Sequence, residues 1–163
     1  MGTTHRELKG LGGWLILPAL GLIVTPFRMV SQFYRDMLPV LASETWNALT
    51  NSSSAAYHPL WGPLIVFEVI ANLLLFFYTL WLLWLFFHKA KHVPRFFITW
   101  FVLLAAMQIV DLLLANQIPA VAAQPTDPES LKDLIRSIIG AAIWIPYFVT
   151  SKRVKNTFIE PVS

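Results

Sequence analysis

Cysteine is missing from all 163 residues, so disulfides, thiol redox chemistry and thiolate-held metals are excluded. Charge is scarce as well. Only 13% of the residues are Asp, Glu, Lys or Arg, against about a quarter in a soluble globular domain. Hydrophobic residues make up 56%, and a soluble chain that apolar has nowhere to put its side chains except into aggregates. A bilayer removes the difficulty, because lipid is itself an apolar solvent. No phosphate-cradling glycine loop, nucleophile motif or HExxH sequence occurs. The reading is therefore of a protein that is not an enzyme and uses no cofactor.

What is present are long apolar runs. A helix needs about 20 apolar residues to cross roughly 30 Å of hydrocarbon. Four stretches meet or approach this, at residues 11–27, 60–87, 96–118 and 134–150. They predict an all-α integral membrane protein, a single membrane domain built as a four-helix bundle. The first stretch is short, carries Pro18 and Pro26, and follows a basic start. It reads as a retained span rather than a cleaved signal, because Arg28 and Arg35 intervene before any cleavage-like sequence. The second is long enough, about 42 Å of helix, to tilt or project.

Between the first two spans, Phe33, Met37, Leu38 and Leu41 recur at helical spacing, as do Trp46 and Leu49. This predicts short interfacial helices in the first outer loop, broken near Pro39. Asp127-Pro128-Glu129 reads as a helix start: aspartate to cap free N–H groups, proline at the first position, glutamate to complement the dipole.

The net charge of +3 does not point to nucleic acid. Its carriers are split into short clusters beside apolar stretches: Arg6 and Lys9; Lys89, Lys91 and Arg95; Lys152, Arg153 and Lys155. Those eight of the twelve basic residues fall on one side if both termini are cytoplasmic, leaving Arg28, Arg35, Lys132 and Arg136 outside. The positive-inside bias predicts N-in and C-in. Trp14, Trp81, Trp84, Trp100 and Trp144 then form an inner aromatic belt, with Trp46 and Trp61 outside. His88 and His92 have metal-compatible spacing but no third ligand, so no metal site is assigned.

Polar residues within the spans are the candidate site. Glu68 and Asn72 share a face of the second helix, and Gln108 and Asp111 share one of the third. Arg136 and Ser137 lie near the outer end of the fourth span, and Arg28 ends the first. Glu68 is about 12 Å deep at most, and Asp111 roughly 10 Å. An ionised carboxylate facing lipid costs about 2.5–3.5 kcal/mol at the bilayer centre, so pairing is expected, with Asp111 and Arg136 as first partners and Glu68 and Arg28 as the alternative. Two readings stand: a polar cavity open to the outside, taking a proton, ion or small solute, or structural ion pairs that fix helix register. Lys152, Arg153 and Lys155 are the candidate contacts for anionic lipid or a partner, beside plain topological anchoring.

Two stretches also resemble a known family. Leu11-Gly12-Gly13-Trp14-Leu15-Ile16-Leu17-Pro18-Ala19-Leu20-Gly21 resembles its opening. Trp144-Ile145-Pro146-Tyr147-Phe148, followed by Ser151-Lys152-Arg153-Val154-Lys155-Asn156-Thr157-Phe158, resembles its closing motif. The family is that of the bacterial membrane proteins grouped as domain-of-unknown-function family 2569. The resemblance implies a multi-pass protein of the bacterial inner membrane and brings no catalytic residues. Physically, Gly12, Gly13 and Gly21 suit close approach of another helix, and Pro18 and Pro146 should loosen their helices.

Together these features predict a non-enzymatic membrane protein that binds lipids, a membrane protein partner or further copies of itself. A small carrier or channel, working as an oligomer, is the alternative. Reporter fusions after Lys91 and after Phe158 should behave as cytoplasmic, and one near Ser53 as external; a cytoplasmic signal at Ser53 would overturn the four-span topology.

Overall fold

The computed structural model describes residues 9–42, 44–124 and 128–159. Arg6, Asp127 and the side chain of Glu129, given roles above, lie outside the described residues. Four helices are long and apolar enough to cross a membrane: Gly13–Ala42, Trp61–Phe87, Val93–Ala115 and Leu131–Thr150.

The first is composite. A 3-10 turn, Gly13–Leu15, leads into α1, Ile16–Gln32; a π-helical turn, Phe33–Met37, then passes into α2, Leu38–Ala42. The expected break near Pro39 is thus replaced by a change of winding. Proline has no N–H to donate and its ring clashes with the carbonyl four residues back. A π turn just before it supplies the extra room. The helix therefore runs well past residue 27, and the loop retains only the short α3, Glu44–Thr50, before α4, Trp61–Phe87. Pro18 falls in the first turn of α1, where N–H groups have no α-helical acceptor, so it breaks nothing. Pro26 and Pro146 do sit inside helices.

A tight turn joins α4 to α5, Val93–Ala115. Lys89 takes φ +53° there. The Lys89 N–H bonds to the Phe86 carbonyl and the Ala90 N–H to that of Leu85, both at 3.1 Å, the Schellman pattern that satisfies carbonyls at a helix end. After α6, Pro119–Ala122, comes α7, Pro128–Thr150, whose first residue is the proline of the predicted helix start. The last described element is α8, Lys152–Thr157, with the Ser151 hydroxyl accepting from the Val154 N–H.

Each long helix packs on the next: α1 on α4, α4 on α5, and α5 most extensively on α7. The core lies toward the end where residues 11–15 and 154–158 meet the α4–α5 turn. Leu15, Leu82, Leu85, Phe86, Val93 and Phe97 are almost wholly enclosed there. Trp100 belongs to this core rather than to an interfacial belt. It is 5% exposed, and its indole donates to Thr79 Oγ1 at 2.8 Å while that hydroxyl donates to the Leu75 carbonyl at 2.7 Å. An indole N–H inside the bundle needs such an acceptor. The outward faces carry large apolar side chains such as Phe27, Leu74 and Leu113, as lipid-facing surfaces do.

Where α7 meets α5, a Cβ built on Gly140 would stand 3.0 Å from Phe101 Cε1, so the Phe101 ring occupies the space a side chain there would need. Gly140→Leu should lower stability by about 1–3 kcal/mol through overpacking, read as a lower melting temperature in detergent. Combining it with Phe101→Ala should cost less than the sum of the two single changes.

Candidate functional site

Two places concentrate polar chemistry, at opposite ends of the bundle. In the half away from the termini, Glu68 on α4 and Asp111 on α5 are near enough for their carboxyls to interact across the helix pair. Asp36, on the π turn, adds its charge nearby. Asp111 Oδ1 is buried and has no hydrogen-bond partner.

The expected cation partners are elsewhere. Arg136 pairs with Asp133, one helical turn back on the same face, and Arg28 reaches the same carboxylate at 3.9 Å. The expected Asp111–Arg136 pair is therefore corrected, as is Glu68–Arg28, and among the described residues neither Glu68 nor Asp111 enters an ion pair. A carboxylate three residues away is reached without crossing between helices, and both arginines are largely exposed, so they remain near the surface. Asp133 is the residue that sequence reasoning missed, although its i,i+3 spacing from Arg136 is visible in the chain.

Gln108 does couple helices: Ser137 Oγ lies 3.1 Å from its Oε1 and 2.9 Å from the Leu134 carbonyl, one proton serving either acceptor. Asn72 is exposed and turns its amide back onto the Glu68 carbonyl at 2.9 Å. It is not brought to the acidic pair.

At the other end the two motif stretches come together. Thr157 Oγ1 accepts the Gly10 N–H at 2.9 Å and lies 3.3 Å from the Gly10 carbonyl, to which it donates. This draws the chain before α1 over α8. Gly12 and Gly13 then face not a helix but a side chain. A Cβ at residue 12 would lie 3.2 Å from Arg153 Nη1. One at residue 13, where φ is +59°, would lie 3.4–3.6 Å from Arg153 Cζ, Nε and Nη2. Those near-equal distances mean the guanidinium presents its flat side to the glycine. Gly21 has open space around it, so no other helix of this chain approaches it there.

Beside this contact is an open cleft of about 390 Å³, lined by Gly13, Trp14, Tyr147, Ser151, Lys152 and Arg153. Of the predicted lipid or partner contacts, Lys152 and Arg153 line it and Lys155 does not. Trp14, expected in the inner aromatic belt, and Tyr147, marked only by its place in the closing motif, complete it. Among the described residues no group of three or more His, Asp or Glu could hold a metal.

Comparison with known proteins agrees with the architecture. The chain is 29% identical over 159 residues to the Escherichia coli K12 protein called inner membrane protein YdgK, covering 97% of this chain and 99% of that one. No solved structure matches. The family described as "Protein of unknown function (DUF2569)" matches residues 8–159. That match takes in both terminal motifs and all four long helices, and the chain belongs to the DUF2569 family.

Proposed function

We propose that this is a non-enzymatic protein of the bacterial inner membrane that acts by binding lipids or membrane protein partners at its cytoplasmic end, singly or as a homo-oligomer. The observation that carries this reading is the open cleft of Trp14, Tyr147, Ser151, Lys152 and Arg153. It is assembled from both ends of the chain, and it sits where the first long helix begins and the last one ends. The inner-membrane location follows the E. coli relative. The cytoplasmic orientation follows the bias of Lys and Arg toward this end.

A small carrier or channel is the second reading, favoured by one observation: the buried, unpartnered Asp111 Oδ1 beside Glu68. Four helices are few for an alternating-access monomer, so that reading calls for an oligomer. Reconstitution into liposomes separates the two. Under imposed proton or sodium gradients the protein should give no flux above empty vesicles. Flux that Glu68→Gln and Asp111→Asn abolish, with melting temperatures unchanged, would overturn the binding reading in favour of the carrier.

A further inference from the structure

The cleft combines features that suit one chemical class of ligand. Arg153 is half-buried, its guanidinium laid flat against Gly13, and its N–H donors find no acceptor among the described residues. A planar fork of charge-assisted donors matches the oxygens of a phosphate or carboxylate. Lys152 adds a second positive charge from the cleft wall. Ser151, whose oxygen accepts the Val154 N–H, still has its own hydroxyl proton to give.

Depth and wall chemistry choose between a soluble anion and a lipid. Gly13 is the first residue of the first candidate span and Thr150 the last of the fourth, so the cleft lies at headgroup level. Trp14 is 70% exposed, with an apolar ring and a polar N–H, and Tyr147 is built on the same plan; such side chains sit at the headgroup boundary. One helical turn deeper, Leu17 on α1 and Ile143 on α7 are both about half exposed. They continue the apolar surface from the cleft toward the bilayer interior, the path an acyl chain would take. A free phosphate would use the cations and leave these walls unfilled.

Building on the cleft reading above, we infer that this site binds the headgroup phosphodiester of an anionic phospholipid, with Arg153 as the principal donor, Lys152 and Ser151 as secondary ones, and Trp14 and Tyr147 flanking the glycerol.

Native mass spectrometry of delipidated protein, titrated with phosphatidylglycerol or phosphatidylcholine, tests this. The wild type should prefer phosphatidylglycerol. Arg153→Gln should weaken its first binding step roughly tenfold, the effect of losing charge-assisted hydrogen bonds. Arg153→Lys should be intermediate, because it keeps the charge and loses the fork. Lys155→Gln, outside the cleft, should bind as the wild type does. Melting temperatures identify any variant that loses lipid by unfolding. In that event Trp14→Ser with Lys152→Gln takes the place of Arg153→Gln and should show the same loss of preference. Unchanged preference in folded cleft variants would overturn the inference, and so would tight binding of glycerol phosphate alone, which would make the ligand soluble. A partner protein that is lost with Trp14→Ser while lipid preference is unaffected would overturn the lipid assignment and leave the cleft reading standing. If neither lipid nor partner depends on the cleft, both fall.

Discussion

The reciprocal contact between Gly10 and Thr157, 147 positions apart, holds the terminal end of the bundle together. A six-residue helix such as α8 is too short to persist alone in water, and its stability must come from what it docks against. Thr157 is 1% exposed, so its hydroxyl is hidden from solvent and costs free energy unless both its proton and its lone pairs are used. Gly10 supplies the N–H and the carbonyl that use them. With that contact made, Leu15 and Val154, both fully buried, join one core with Phe86, Phe148 and Phe158, and Arg153 is carried over Gly13. The cleft is thus a consequence of closing the chain's two ends on each other.

Much of the architecture is legible in composition. Lipid cannot hydrogen-bond a backbone, so long apolar runs have to be helices, and hydropathy places them without further information. What hydropathy does not reveal is how helices meet. The glycines that drew attention, Gly12, Gly13 and Gly21, stand in a recognisable motif, whereas Gly140 sits in an unremarked run with Ala141 and Ala142; yet it is Gly140 that faces Phe101 across a helix pair. Pro39 looks like a break from sequence because a proline in an α-helix loses one hydrogen bond and gains one clash. A π turn absorbs both, and no residue type announces it. Trp100 reads as an interfacial anchor by residue type, and only the position of Thr79 on the neighbouring helix shows that its N–H has an acceptor inside the bundle.

The charged residues are the part of the site least legible in the chain. Counting acids and bases across four spans suggests cross-helix pairs, since each lone charge in lipid is expensive. Distance from the surface decides otherwise. Arg28 and Arg136 are exposed enough to keep their heads in a polar layer, and both converge on Asp133. Among the described residues neither Glu68 nor Asp111 enters an ion pair, and their sequence neighbours on their own helices are apolar or amide-bearing. Spacing within each helix shows that each acid shares a face with an amide. It cannot show that the faces of α4 and α5 turn their acids toward one another.

The two ends of the bundle therefore handle polar groups in opposite ways, and the difference bears on which end can recognise a ligand. In the far half Arg28 and Arg136 already have a carboxylate. At the terminal end Thr157 and Gly10 satisfy each other, while Arg153 finds no acceptor among the described residues and has donors to offer. Its setting is stiff. Phe148 stacks on Phe97 at 4.0 Å with a 10° angle between rings and also stacks on Phe158, which in turn meets Phe86 edge-on. Tyr147, the neighbour of Phe148 in α7, meets it edge-on at 5.8 Å. A guanidinium against a glycine and an aromatic ring beside a locked neighbour have little freedom left to lose on binding. Preorganisation of this kind lets a small, open cleft discriminate by charge and shape where its area alone would not.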